Sequence, residues 1–185
     1  FLFFPVFFRG GLATPRPSEG MPGVVQHTKD SFKAEIDRAL EAGIGGVMVF
    51  GIPEKRDPSG SGALNPRGVL SSAIREARTR AGDDLVIVAD LCLDEFTSHG
   101  HCGVLDKNGN VENDATLKIY GEMAKVLADS GAHMVGTSGM MDGQVGVVRN
   151  ALDSAGYTDV LILAYAAKFA SAFYGPFRDA VESQL

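Results

Sequence analysis

Apolar stretches of strand length alternate along this chain with segments whose apolar residues recur every three to four positions. The apolar stretches predict five strands, at residues 1–8, 45–52, 84–93, 133–138 and 159–167. The segments between them carry the helical period and predict helices at 27–43, 69–82, 114–131 and 143–157. Near-continuous apolar strands that alternate with amphipathic helices are typical of a parallel sheet covered by helices.

Two α/β architectures fit this alternation: a doubly wound open sheet and a (β/α)8 TIM barrel. Neither a GxGxxG nor a Walker pattern follows the first strand, which argues against a nucleotide-binding open sheet. We therefore expect the barrel. A closed barrel needs eight strands and about 250 residues. We accordingly expect a single domain over residues 1–185 that holds about the first five β/α units of a C-terminally incomplete barrel.

One segment interrupts the alternation between the third predicted strand and the third predicted helix. Its KNGN stretch, residues 107–110, is typical of the tight turn of a small hairpin. The helix that follows has Asn113 or Asp114 as its candidate N-cap, because a short polar side chain there accepts a bond from a free backbone amide.

Composition narrows the classes of partner. Of the 185 residues, 45% are hydrophobic and 22% are charged, and the net charge of -6 argues against a nucleic-acid-binding surface. The apolar opening stretch is well short of the roughly 20 residues that cross a bilayer, and it lacks the marks of a signal peptide. We expect a cytoplasmic protein with no membrane partner. In such a reducing compartment, its two cysteines indicate a metal or catalytic site rather than a disulfide.

The third predicted strand carries reactive side chains on one face. Side chains alternate along a strand, so one face holds Val86, Val88, Asp90, Cys92 and, if the strand continues, Asp94. This face turns from apolar to polar toward the carboxyl end, where parallel α/β folds place their active sites. Buried carboxyl and thiol groups are costly unless paired, protonated or bound to a metal. The structural alternative is that Asp90 bonds a backbone amide and Cys92 is a small core residue.

Both cysteines and a carboxylate can converge into a metal site. Cys92 and Asp94 lie two positions apart, and Cys102 can return to them through two glycine bends. Two thiolates and a carboxylate would give a three-ligand zinc site with one open position. His99 or His101 could replace one of these ligands, so the spacing alone leaves the ligand set open.

Lys168 follows the fifth predicted strand, on one face with Ile162, Ala164 and Ala166. A lysine that follows small residues at the inner end of an apolar strand is poorly solvated, and desolvation lowers the pKa of an amine. A neutral amine can attack a ketone to form a Schiff base. The alternative places Lys168 just past the strand with its ammonium group in solvent.

Ser138 ends the fourth predicted strand, on the same face as Met134 and Gly136. The neighbouring glycines allow a ligand to approach the backbone closely. A surface turn stabilised by the serine hydroxyl fits the sequence equally well.

At these residues the chain resembles the porphobilinogen synthase (5-aminolevulinate dehydratase) family. The resemblance runs from FRGGLATPRPSEGMPGVVQHT through SGALNPRG, ADLCLDEFTSHGHCG and SGMMDGQV to AYAAKFASAFYGPFRDA. It implies a (β/α)8 barrel that condenses two molecules of 5-aminolevulinate into porphobilinogen, with release of two waters, in tetrapyrrole and heme biosynthesis. It also implies a homo-octameric parent enzyme.

The resemblance assigns roles to particular residues. Lys168 would form a Schiff base with the ketone of the first substrate, with the acidic Asp90 beside it. The implied substrate-binding residues are the polar contact Ser138, the pocket-wall residues Tyr174 and Phe177, and Arg178 toward the substrate carboxylate. A guanidinium in that place suits a carboxylate.

The resemblance also bears on the metal. Zinc-binding members carry three cysteines, and Cys92 and Cys102 match the first and third, whereas Asp94 stands in the place of the second. Two thiolates favour a soft or borderline ion, so zinc is the better expectation and magnesium the second. His99 and His101 become candidates either for contacts that support the metal ligands or for a structural role. The stretch GTSG also departs from the commoner Pro-Ser pairing, with Thr137 before the retained Ser138.

The family uses a second lysine on a later strand and an N-terminal arm, and neither lies in these 185 residues. We therefore expect a fragment that is inactive and poorly folded alone, because an open arc of strands exposes a sheet edge. Two other functions fit the sequence: a Schiff-base aldolase on the same barrel type, and a metal-binding barrel fragment without catalysis.

Overall fold

A computed structural model describes residues 2–167 and 175–181, without the side chains of residues 178 and 179. Its strands are β1 Phe3–Arg9, β2 Arg16–Pro17, β3 Val25–His27, β4 Gly46–Ile52, β5 Val86–Leu91, β6 Met134–Thr137 and β7 Leu161–Ala164. Its α-helices are α1 Lys29–Glu41, α2 Val69–Ala81, α3 Asn113–Asp129, α4 Gln144–Ser154 and α5 Gly175–Val181, and a short 3-10 helix spans Ser61–Leu64.

The sheet has the order β2-β3-β1-β4-β5-β6-β7. From β1 through β7 the long strands are parallel, and each pairs with the next one along the chain. A doubly wound sheet would reverse its direction of growth at a switch point, whereas this order grows in one direction, as in a barrel. The five predicted strands correspond to β1, β4, β5, β6 and β7, so the described residues form five of the eight parallel strands of a closed barrel.

The two short strands β2 and β3 lie outside the predicted alternation. β3 pairs in parallel with the end of β1, where Phe7 faces Gln26, and β2 pairs antiparallel with β3. Strands of two and three residues are too short to show a hydrophobic period. The helix α5 was also not predicted, although Pro176 in its first turn suits a helix start.

The sheet has one apolar core on each face. β4 shows the alternation, because Val47 and Val49 join the core under the helices, whereas Met48 and Phe50 join the core on the opposite, inner face. The larger core fills the space between the sheet and α1 to α4 and includes Phe32, Ile36, Ile74, Ile87, Tyr120, Leu127 and Leu152. The inner core consists of Phe7, Met48, Phe50, Ile52 and Val88 with Ala180 and Val181 of α5.

Helix α5 lies over the inner face and is tied to the strands by two side chains. Gln26 Nε2 donates a hydrogen bond of 2.8 Å to the carbonyl oxygen of Ala180. Arg56 donates one of 2.8 Å to the carbonyl oxygen of Val181. The inner face of β1 and β4 is therefore covered by a segment that follows β7 in the sequence.

The start of α3 corrects the predicted N-cap. Glu112 occupies the cap position and makes no side-chain capping bond, and the helix itself begins at Asn113. The Asn113 side chain instead contacts the backbone of Asp142, accepting from its N–H at 2.8 Å and donating to its carbonyl at 3.3 Å. The physical reason is that a long-range partner across the α3–α4 contact competes with the local cap.

The segment between β5 and α3 contains the predicted hairpin turn. Leu105 and Val111 form an antiparallel bridge, and Gly109 adopts a positive φ of 84° within the turn. None of the helices in the described part of the chain is long and apolar enough to cross a membrane.

Candidate active site and metal centre

Two parallel strands end side by side at the candidate site. Asp90 pairs in register with Gly136, so the carboxyl ends of β5 and β6 lie next to each other. Asp90 lies on the same strand face as Val88, which belongs to the inner core, as the alternation predicts. Ser138, just beyond β6, donates a hydrogen bond of 2.8 Å from Oγ to Asp90 Oδ1. Two of the residues singled out from the sequence thus meet in one buried contact.

The predicted metal-ligand set also converges. One ligand atom from each of Cys92, Asp94 and Cys102 lies within 4.8 Å of the other two. Cys92 and Asp94 are buried and Cys102 is partly buried. Both cysteines are free thiols, as expected for a site that is not a disulfide. This cluster could hold a metal ion.

The route by which these ligands converge differs from the predicted one. β5 ends at Leu91, so Cys92 and Asp94 lie beyond the strand rather than along one face of it. The chain turns at once, because the amides of Phe96 and Thr97 both donate to the carbonyl oxygen of Leu93. The turn, and not strand alternation, brings the Asp94 carboxylate to the thiols.

The donor atoms fit a cation. Asp94 Oδ1 is buried and accepts no hydrogen bond from an N–H or O–H group of the described residues, which leaves a carboxylate oxygen with unmet bonding capacity there. Burial raises the pKa of the Cys92 thiol well above its usual value, and a bond to Cys102 and the charge of Asp94 raise it further. A bound cation offsets both effects, since metal ions deprotonate coordinating thiols.

Tyr120 of α3 holds the backbone at Cys102, where the chain comes back to the metal-ligand cluster. Its hydroxyl donates a hydrogen bond of 2.6 Å to the carbonyl oxygen of Cys102. Burial raises the pKa of this tyrosine far above its usual value, and the charges of Cys92 and Cys102 add to the effect. A Cβ on Gly139 would overlap the Tyr120 hydroxyl, so the loop after β6 must carry a glycine where it passes over this ring.

The two histidines of the segment hold the loop. His99 contacts the carbonyl oxygen of Pro58 through Nε2 at 3.1 Å and accepts the backbone N–H of His101 on Nδ1 at 3.1 Å. Thr97 donates to the carbonyl oxygen of His101 at 2.9 Å. Neither histidine joins a cluster of three possible metal ligands within residues 2–167 and 175–181. The contacts of His99 and His101 therefore indicate a structural role, which is to hold the conformation of this loop.

Three residues near the site were missed in the sequence. Glu95 is buried, and burial raises its pKa well above the usual value, with the charges of Asp94 and Asp90 adding to the shift. Arg56 is half-buried. Burial lowers the pKa of its guanidinium, whereas the negative charges of Glu95 and Asp94 raise it. A signal for Glu95 was available, because it directly follows Asp94 in the sequence.

Tyr165 is the third missed residue and follows β7. Its hydroxyl contacts Met48 Sδ at 3.3 Å. Tyr165 is 37% exposed, and its partial burial raises its pKa to about 12, with the charges of Asp90 and Cys92 adding to the effect. Tyr165 therefore lies at the carboxyl end of β7, next to the carboxyl ends of β5 and β6.

The remaining predicted site residues lie after β7. Phe177 of α5 packs against the inner core, with ring centroids 6.0 Å from Phe7 and 5.3 Å from Phe50. Lys168, Tyr174 and the side chain of Arg178 lie outside the described residues. Their roles stay predictions.

Comparison with known proteins shows what the chain is similar to. A family model described as "Delta-aminolevulinic acid dehydratase" matches residues 1–185. The delta-aminolevulinic acid dehydratase of Streptomyces coelicolor is 59% identical over 183 residues, which are 98% of this chain and 56% of that protein. The protein of the same name from Mycobacterium tuberculosis (strain CDC 1551 / Oshkosh) is 56% identical over 186 residues, 100% of this chain and 56% of that protein. The chain thus spans about half the length of the curated relatives it matches.

A solved structure matches the fold closely. The crystal structure of delta-aminolevulinic acid dehydratase (porphobilinogen synthase) from Toxoplasma gondii ME49, in complex with the reaction product porphobilinogen, has a TM-score of 0.94 and 38% identity. The match covers 99% of this chain and 52% of that chain. The barrel class predicted from the sequence is thereby confirmed.

Proposed function

Because the chain belongs to the delta-aminolevulinic acid dehydratase family, we propose that the protein carrying it condenses two molecules of 5-aminolevulinate into porphobilinogen, with release of two waters. One observation carries the proposal within this chain. The Ser138–Asp90 hydrogen bond of 2.8 Å and the Cys92/Asp94/Cys102 cluster lie together at the carboxyl end of the parallel sheet. In barrel enzymes this end of the sheet carries the catalytic residues.

In this proposal Lys168 is the nucleophile. It lies four positions after Ala164, where β7 ends, and β7 pairs with the strand that leads to Ser138. Its neutral amine attacks the ketone carbon of the first substrate, and the resulting carbinolamine loses water to give the iminium. The iminium acidifies the neighbouring carbon and holds the first substrate for an oriented condensation.

Asp90 serves as the proton-transferring group beside this lysine. Asp90 is 4% exposed as a residue, and the hydroxyl of Ser138 fixes the orientation of Oδ1. A positioned carboxyl group of this kind contributes about 10²–10⁴-fold to a rate. Ser138 thus acts on Asp90 and also contributes the polar contact to substrate that the family resemblance implies.

The segment after β7 supplies the pocket wall and the carboxylate partner. Phe177 already lies on the inner face, in α5, where Gln26 and Arg56 bond the helix carbonyls. In the proposal, Tyr174 lines the same wall and Arg178 binds a substrate carboxylate through its planar pair of N–H donors.

Cys92, Asp94 and Cys102 would hold a zinc ion. The buried Asp94 Oδ1, which accepts no hydrogen bond within the described part of the chain, supports this assignment, as do the two free thiols. Bound there, zinc would supply Lewis-acid character close to Asp90. Because a carboxylate stands beside only two thiolates, magnesium is the second candidate ion.

The proposal extends to assembly and compartment. We infer a cytoplasmic homo-octamer that binds neither nucleic acid nor membranes, in keeping with the net charge of -6. We also propose that residues 1–185 alone are inactive and poorly folded. Within the described residues β2 and β7 are the edge strands of the sheet, which supports this, because unpaired edges favour association with other strands.

The test is porphobilinogen formation by the intact, zinc-loaded protein given 5-aminolevulinate. We expect product from the wild type and none from Lys168→Met. Lys107→Met, in the exposed hairpin turn, is the matched control and should keep wild-type activity. Absence of product from folded, zinc-loaded wild type, or full activity in Lys168→Met, would overturn the proposal.

A further inference from the structure

Two side chains from different strands and loops hold the C-terminal end of α5. Gln26 of β3 donates a hydrogen bond of 2.8 Å to the carbonyl oxygen of Ala180. Arg56, which follows β4, donates one of 2.8 Å to the carbonyl oxygen of Val181. We propose that Gln26 and Arg56, the α5 anchor, are positioning residues for substrate binding. The inference rests on the proposed function, in which α5 supplies the pocket wall and the carboxylate partner.

The helix needs such an anchor because it is short. It has seven residues, and isolated helices below about 12–15 residues are only marginally stable in water. The last carbonyl groups of a helix also have no partner within the helix. Ala180 and Val181 are fully buried, so these carbonyl groups need partners from the protein. Gln26 and Arg56 supply one donor to each of them.

The position of Gln26 in the sheet directs its side chain to α5. Gln26 lies opposite Phe7 of the parallel strand β1, and Phe7 belongs to the inner core. Gln26 is 2% exposed, and a buried amide is costly unless it is bonded. Arg9 contacts Gln26 Oε1 at 3.4 Å, which leaves the Nε2 end of the amide to face Ala180. The burial of this polar side chain is therefore explained by its bond to the helix.

Arg56 links the same helix end to the metal side of the site. Burial lowers the pKa of its guanidinium, whereas the negative charges of Glu95 and Asp94 raise it. A substitution of Arg56 therefore changes both the anchor and the charge near these carboxylates. Gln26 is neutral, so a substitution there tests the anchor without a change of charge.

The anchor should act on substrate affinity rather than on the chemical step. The Phe177 ring packs with its centroid 6.0 Å from that of Phe7 and 5.3 Å from that of Phe50. Arg178 shares the backbone of α5 with Phe177, so release of the helix end would move both positions. Lys168, the proposed nucleophile, precedes the helix. Loss of the anchor lowers the fraction of molecules with α5 in place, which raises the apparent dissociation constant for the substrate.

The experiment compares Gln26→Met with the wild type in the intact, zinc-loaded protein. Methionine keeps the length of the side chain and removes the donor. Amide hydrogen exchange of the peptide that contains residues 175–181, followed by mass spectrometry, should become about three- to tenfold faster, the factor expected for one net hydrogen bond. KM for 5-aminolevulinate should rise by about the same factor, with kcat within about twofold of wild type. Zinc should stay at one ion per chain.

Ser130→Ala is the matched control. It removes a hydroxyl that donates a bond of the same 2.8 Å length to a backbone carbonyl, that of Val126, at the end of the outer helix α3. This variant should keep the wild-type KM and the wild-type exchange of residues 175–181. Equal changes in Ser130→Ala and Gln26→Met would show a general loss of stability and would overturn the proposal.

Two further outcomes would overturn it: unchanged exchange of residues 175–181 in Gln26→Met, or a fall in kcat with KM unchanged. Arg56→Met is the second variant and should speed the exchange of the same peptide; if neither variant does so, the anchor is wrong. The exchange measurement does not involve porphobilinogen. A wild type that forms no product would therefore count against the proposed function, and the exchange result would still decide the anchor.

Discussion

Ser138 and Asp90 are joined by a hydrogen bond of 2.8 Å although 48 positions separate them in the sequence. Both side chains are buried, with 9% and 4% of their surfaces exposed. The bond depends on the pairing of two neighbouring parallel strands, because Asp90 lies opposite Gly136 in β6. The sheet register therefore sets the orientation of the carboxyl group that we propose transfers protons.

Ser138→Ala should weaken both the fold and the reaction. Removing the hydroxyl leaves a buried carboxylate oxygen without this donor, which should lower the free energy of unfolding by about 1–2 kcal/mol. Because the orientation of Asp90 is lost, kcat should fall more than KM rises. Urea unfolding and steady-state kinetics of the intact protein measure these effects. Ser72→Ala, on the exposed face of α2, is the control and should stay within about 0.5 kcal/mol of wild type. Equal effects from both substitutions would contradict the role given to Ser138.

Asp94→Cys should raise zinc affinity. The change completes a set of three sulfur ligands in a cluster whose ligand atoms already lie within 4.8 Å of one another, and thiolates bind zinc more strongly than carboxylates do. Competition with a zinc-binding dye should show tighter binding than in the wild type. The Co²⁺-loaded variant should also show stronger sulfur-to-metal charge-transfer absorption. Asp114→Cys, which adds a thiol on the exposed first turn of α3, controls for the extra cysteine. Unchanged zinc affinity in Asp94→Cys would show that residue 94 is not a ligand.

Tyr120→Phe should remove a contact that fixes the backbone of Cys102. The substitution removes the donor of a 2.6 Å bond to the Cys102 carbonyl and leaves that partly buried acceptor without this bond, at a cost of about 1–3 kcal/mol in unfolding free energy. Zinc affinity should fall as well, because the cysteine loses its fixed backbone. Tyr157→Phe removes a hydroxyl that bonds the exposed Asp129 and is the matched control. Loss of stability without any loss of zinc affinity would separate Tyr120 from the metal cluster.

Asp57 should make the loop next to the site sensitive to acid. Hydrogen bonds from the Ser59 and Ser61 side chains hold the pKa of Asp57 well below its usual 3.8. A lowered carboxyl pKa contributes stability above the unfolded-state value and loses that contribution as pH falls. The difference in unfolding free energy between wild type and Asp57→Asn should therefore be constant above about pH 5 and narrow as pH falls through 3.8. Urea unfolding across this range measures it, and a difference that does not change with pH would contradict the assignment.

Much of the fold was predictable because long periodic segments dominate it. The strand pattern of residues 84–91 correctly put Asp90 on the inner face with Val88. The same pattern extended the predicted strand beyond its observed end, because β5 ends at Leu91 and a turn follows. No glycine or proline marks residues 92–98, so the local signal for that turn is weak.

The site was predictable where residue type alone is distinctive. Two free cysteines and a nearby aspartate are rare enough to suggest a ligand set, and the structure brings them together. Tyr120 was not predictable in this way, because its significance depends on a long-range neighbour. Tyr120 fits the ordinary apolar face of a helix, and only the approach of Cys102 gives its hydroxyl a partner.

The central claim is that Lys168 forms a Schiff base with 5-aminolevulinate. The most direct measurement is borohydride reduction of the intact protein in the presence of this substrate, followed by peptide mass spectrometry. We predict that Lys168 gains the mass of one aminolevulinate, less one water and plus two hydrogens. No such adduct should form with sugar phosphates, the substrates expected of an aldolase. If Lys168 stays unmodified while the folded, metal-loaded protein makes porphobilinogen, the assignment of the nucleophile is wrong.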